Sequence, residues 1–187
     1  MAFIETIAPD CADSALAAMY LRQQSAWGYV PNYAKVFCHR PAVMARWASL
    51  LAEIKRPMDA RRFELVTFVA AHELRHTACT LVHGKKLREF FSDHEIVAIA
   101  KGHPPDTLTD SERAMLRFAR QVARDASQVT QEEVDGLRAL GVTGAEVFDI
   151  AAAAAARAFF TKVLDALGVE LDLPFLALEE TLRGLLT

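Results

Sequence analysis

Four side chains, His72, His76, Cys79 and His83, recur at intervals of four, three and four residues. At ~100° per residue on a helix, these positions share a strip about 60° wide. Followed toward the N-terminus, the strip takes in Phe68, then Leu65 and Glu64. Glu73, Thr77 and Thr80 fall on the flank expected to face solvent. A thiol, imidazoles and a carboxylate on one face point to two chemistries. The first is thiol nucleophilicity. An unperturbed cysteine of pKa ~8.5 is mostly protonated at neutral pH, and a neighbouring imidazolium can make the thiolate the major species. His76 and His83 lie three and four residues from Cys79, at contact spacing. The second is metal binding, because N and S ligands suit zinc or another transition ion. One straight helix offers only about two or three of the four to one ion, and a tetrahedral site draws on several elements. No metal is therefore expected, and His72, His76, Cys79 and His83 would be its ligands if one bound. Each residue also has an ordinary role open to it. A buried cysteine packs as a small hydrophobe, and Glu64 near a helix start complements the macrodipole.

The elements that must position these groups are helical. No strand-like alternation bounded by turn signals appears, and helix punctuation recurs. Residues 13–27 read as a first helix closed by Gly28, and a short helix after Pro31 ends at Pro41. From Pro41 to Ile54 an amphipathic helix is expected to turn Val43, Trp47, Leu50, Leu51 and Ile54 to one side. Asp59 is placed to cap a long helix of about 24 residues, roughly 36 Å, running through His83 to Gly84. The second half carries three capping boxes, Thr109 with Glu112, Thr130 with Glu133, and Thr143 with Glu146. They open helices over 110–126, 131–140 and 144–167, the last containing the run Ala151 to Ala156, and Pro174 starts a final helix.

The chain has 187 residues, 52% of them hydrophobic, and a net charge of −3. One domain over 1–187 is the expectation, and the apolar content suits a homo-oligomer. No long basic cluster asks for nucleic acid or an anionic membrane. The stretch from Val147 to Phe160 is interrupted by Asp149 and Arg157, so it does not read as a membrane span. Cys11, Cys38 and Cys79, odd in number and widely spaced, fit thiols in a reducing cytoplasm.

The runs Arg61-Arg62-Phe63-Glu64-Leu65-Val66 and His76-Thr77-Ala78-Cys79-Thr80-Leu81-Val82-His83-Gly84 resemble the core of the alkylhydroperoxidase D-like, carboxymuconolactone decarboxylase superfamily. Gly28-Tyr29-Val30-Pro31-Asn32, Pro41, the helix start at Thr109 and the segment from Asp165 to Glu170 extend the resemblance over nearly the whole chain. The family's peroxidase motif is Glu, eleven residues, then Cys-x-x-Cys-x-x-x-His. Glu64, Cys79 and His83 match its Glu, second Cys and His, while His76 stands where the first Cys would be. The resemblance implies an all-α, single-domain helical bundle of about eight to ten helices in a homo-oligomer. It also implies an enzyme that reduces organic hydroperoxides through Cys79, with His83, polarised by Glu64, as base and no cofactor. With His76 in the resolving position, a Cys79 sulfenic acid would be resolved by an external thiol reductant, or by Cys38 or Cys11 if the fold brings either close. Three other readings stay open. They are a non-redox decarboxylase-like enzyme using the histidines as acid–base groups, a metal-binding protein, and a catalytically silent oligomeric scaffold. Trp27, Tyr29 and Tyr33 could line a pocket, though core packing is the plainer expectation, and Trp47 reads as core.

Overall fold

The computed structural model describes residues 2–172, together with Leu182 and Gly184. The helix expected from Pro174 lies outside the described residues. Within them the chain forms nine α-helices and no strand. These are α1 (Ser14–Trp27), α2 (Asn32–Val36), α3 (Pro41–Lys55), α4 (Ala60–Glu73), α5 (Thr77–Leu87), α6 (Asp93–Ala100), α7 (Asp110–Asp125), α8 (Gln131–Ala139) and α9 (Gly144–Ala166). The all-α expectation holds.

Local chemistry sets most of these boundaries. The three expected capping boxes are present, with each threonine side chain accepting an N–H that its glutamate repays. A fourth, Ser92 with Glu95, opens α6, a helix that the sequence reading passed over. Gly28 and Gly168 end α1 and α9 with left-handed backbones, φ 78° and 62°.

The centre of the bundle is α4, buried without a break from Phe63 to Ala71. It packs on α5, α7 and α9. Ala153 and Ala154 are fully buried on α9, so the alanine run permits close helix approach as well as favouring a helix. On α3 the expected inner face is only partly right. Leu51 and Ile54 pack against the core, but Val43 and Leu50 are exposed and Met44 is the residue buried.

The largest departure lies between α4 and α5. The expected single helix from Asp59 to Gly84 is broken at 74–76. Arg75 sits at φ 57°. Its N–H bonds to His72 O at 2.9 Å, and His76 N–H bonds to Ala71 O at 3.0 Å. That pairing is a Schellman motif with arginine where glycine usually stands, so no residue type signals the stop. Gly84, read as the terminator, is instead inside α5. A Cβ there would lie 3.3 Å from Phe68, so its smallness serves close packing. The break has a chemical consequence. On one straight helix Glu64 and His83 would be about 28 Å apart; folding α5 back along α4 brings them into contact.

Candidate active site

His76 starts α5 as its N-cap. Its Nδ1 accepts the Cys79 N–H at 3.1 Å, and its carbonyl accepts the Thr80 hydroxyl at 3.0 Å. Thr80 is thereby buried, not on a solvent flank. Cys79 occupies the third position of α5, where the positive helix end favours a thiolate. One turn on, His83 Nδ1 meets Glu64 Oε2 at 2.6 Å, and Thr67 Oγ1 lies 3.2 Å from the same nitrogen. The Thr67 hydroxyl donates to Phe63 O at 2.8 Å, so the network assigns the proton to Nδ1 and leaves Nε2 of His83 as an acceptor. Lys86 and Lys55 approach the other Glu64 oxygen at 3.4 and 3.8 Å.

Arg157 completes the group, and sequence reasoning missed it as a site residue. It rises from α9, 96% buried, with Nη1 3.5 Å from Cys79 Sγ and its guanidinium 5.8 Å from the Phe160 ring centre. It makes no ion pair with a carboxylate among the described residues, and its Nε has no hydrogen-bond partner there. The signal was available as an arginine set within a run of alanines and phenylalanines. In the sequence it served only to argue against a membrane span.

These neighbours decide the charge states. Burial works against a Cys79 thiolate. Hydrogen bonding with His76 and the Arg157 charge outweigh it, so the thiol pKa lies below its ordinary value. Burial also opposes a charged His76, but its hydrogen bond and attraction to Cys79, aided by Asp165, raise its pKa. Protonation on Nδ1 would forfeit the cap to Cys79 N–H. Burial and the charge of Arg157 push His83 down to about 4 despite Glu64. Burial favours neutral Glu64, but the hydrogen bond from His83 and the charges of Lys86 and Lys55 hold it below the usual range. The pair is therefore a carboxylate against a neutral imidazole.

A pH dependence follows. An unfolded histidine titrates near 6.5, so between about pH 6.5 and pH 4 the unfolded chain binds a proton that buried His83 does not. Stability conferred by neutral His83 is complete above that window and lost as pH falls through it, by about 3 kcal/mol. His76, with its raised pKa, works in the opposite direction. Urea unfolding across this range should show a fall that His83→Gln largely flattens; parallel curves for the two proteins would contradict the assignment.

His76, Cys79, His83 and Arg157 lie on the wall of one cavity of about 380 Å³. Tyr33, Trp47, Phe63, Phe160 and Leu164 form its apolar lining, with Trp27 at the same wall. Trp47 stacks on Phe160 at 4.4 Å between ring centres. Trp27 and Tyr33 line the cavity and Tyr29 does not, while Tyr33 and Trp47 also pack against the core as expected. Trp47 Nε1 is buried without a partner among the described residues.

The structure brings Glu64, His76, Cys79 and His83 together but leaves His72 apart. His72 lies in the last turn of α4 and lines a different cavity. Burial and the charge of Arg120 lower its pKa. Among the described residues no group of three or more His, Cys, Asp and Glu side chains is placed to hold a metal ion. The four-ligand set read along one face does not exist once the helix breaks. Cys11 is exposed and Cys38 buried, and neither forms a disulfide. Cys38 Sγ accepts Ile7 N–H at 3.4 Å and does not line the Cys79 cavity.

Cys79, buried beside Arg157, thus sits on the α4–α5 helix pair inside an all-α bundle. Solved structures share this fold. A peroxidase-related protein with an alkylhydroperoxidase AhpD core, from Ralstonia eutropha, superposes with a TM-score of 0.77 at 20% identity, covering 93% of this chain and 94% of its own. The debrominase Bmp8, solved with 2,3,4-tribromopyrrole, gives 0.73 at 16% identity over 90% and 91%. A putative AhpD antioxidant defence protein from Agrobacterium tumefaciens gives 0.66 at 17% identity over 74% and 96%. No protein-family pattern and no curated protein matches the sequence. The chain has the alkylhydroperoxidase D-like fold.

Proposed function

We propose that this chain is a one-cysteine reductase of organic hydroperoxides. The observation that carries the reading is Cys79 Sγ beside the carboxylate-free Arg157 on the wall of an apolar cavity. In the proposed cycle the thiol proton moves to His76 Nδ1, which gives up the bond from Cys79 N–H, leaving a thiolate held by Arg157 and the α5 N-terminus. His83 Nε2 accepts the hydroperoxide O–H and orients it, with Glu64 holding the ring. The thiolate attacks the terminal oxygen, the S–O bond forms, the O–O bond breaks, and the alkoxide takes the proton from His76. Cys79–SH and ROOH thus become Cys79–SOH and ROH. His76 supplies no resolving thiol, so an external thiol reductant forms a mixed disulfide and water. A second thiol equivalent releases Cys79–SH and a disulfide.

Relative to the resemblance, the base role moves from His83 to His76. The pKa directions favour a Cys79–His76 ion pair, whereas His83 stays neutral. The apolar lining supports a hydrophobic substituent on the peroxide, and the fold neighbours described as peroxidase-related and antioxidant agree with the class. The debrominase shows that this fold serves other chemistries. No helix among the described residues is long and apolar enough to cross a membrane, and a cytoplasmic setting belongs to the proposal. The test is dimedone trapping of Cys79 after one equivalent of an alkyl hydroperoxide, read by mass spectrometry. A Cys79 adduct with matching alcohol release is expected; alcohol without an adduct, or neither, overturns the cycle.

A further inference from the structure

Arg75, Lys101, Arg120 and Arg124 line a second cavity, of about 560 Å³, which shares no wall residue with the Cys79 cavity. It lies between the end of α4, the start of α5, the end of α6 and the face of α7. Glu73 is the carboxylate on that wall, one negative charge against four positive, leaving an excess of three. Both its oxygens are occupied, by Arg124 at 2.6 Å and Arg120 at 3.5 Å. Arg120 is further fixed by donating to Ile99 O at 2.6 Å and Ala100 O at 3.1 Å. The exposed side chains of Arg75 and Lys101 have no hydrogen-bonding or ionic partner among the described residues.

We propose that this cavity binds a small, multiply charged oxyanion of the phosphate or polycarboxylate class. Its volume is that of a small-molecule site. Guanidinium forks pair with phosphate and carboxylate through two parallel hydrogen bonds, and a lysine adds a point charge. Like charges gathered around one concavity repel in the free protein, and an anion among them removes that repulsion. The depressed pKa of His72, due to burial and then Arg120, records the same positive field from inside the wall. The proposal is independent of the chemistry at Cys79.

The experiment is calorimetric titration and thermal melting of the full chain with inorganic phosphate, pyrophosphate and citrate at constant ionic strength, with sodium chloride as control. Saturable binding and a rise in Tm are expected with at least one of the three. The double variant Arg75→Gln/Lys101→Gln should bind about tenfold more weakly or worse. Arg22→Gln/Lys162→Gln, which removes the same charge from exposed sites elsewhere, should bind as the unaltered chain does. If the double variant fails to fold, Arg75→Gly, suited to the left-handed backbone, takes its place and should also weaken binding. Absence of saturable binding by all three anions, or equal weakening in the two double variants, overturns the proposal.

Discussion

The Cys79→Ser chain is expected to lose at least about a thousandfold of its hydroperoxide turnover while keeping its fold. A hydroxyl cannot take the place of a thiolate that ends the step as a sulfenic acid, and no other thiol lines the cavity. Serine is close in size, but it removes the thiolate charge that balances buried Arg157, so stability should fall by up to about 3–5 kcal/mol. The measurement is steady-state reduction of an alkyl hydroperoxide with excess dithiol, alongside urea unfolding of both proteins. Undiminished turnover would shift the chemistry to the histidines, as in a decarboxylase-like acid–base enzyme. Loss of turnover together with loss of folding would be answered by Cys79→Ala, which carries no polar group into the buried position.

Much of the frame was legible because its signals are local. A capping box is written within four residues, so the starts of α7, α8 and α9 could be read from Thr109, Thr130 and Thr143. The break after α4 could not. Its stop depends on Arg75 adopting φ 57°, a conformation usually signalled by glycine or asparagine, and the apolar spacing runs through it undisturbed. Reading one helix put His72 with the site and placed Glu64 far from His83. The true arrangement excludes the first and joins the second and third by a 2.6 Å contact. The helical stripe takes in Glu64, Cys79 and His83 together with His72 and His76, and the motif resemblance singles out the first three as the central set. Arg157 escaped both routes, because it arrives from α9, 78 residues away in sequence, and only packing brings it to Cys79.

Arg157→Met should slow alkylation of Cys79 by iodoacetamide at neutral pH by about tenfold or more, without destabilising the protein. A buried guanidinium lacking a carboxylate partner is costly. Here the anion within reach is the Cys79 thiolate, at 3.5 Å, so the cation and the deprotonated thiol stabilise each other. Methionine is similar in length, fills the space beside Phe160 and carries no charge to desolvate, so stability should stay level or rise by about 1–4 kcal/mol. Without the cation, burial and the His76 hydrogen bond are left opposed, and the thiol pKa rises. Arg157→Lys, which keeps the charge but loses the fork, should recover part of the rate. The decisive readout is the pH profile of alkylation. A profile displaced to higher pH in Arg157→Met and partly restored in Arg157→Lys fits an electrostatic role. If both profiles coincide with that of the unaltered chain, Arg157 is a packing residue and the thiolate owes its stability to His76 and the helix end.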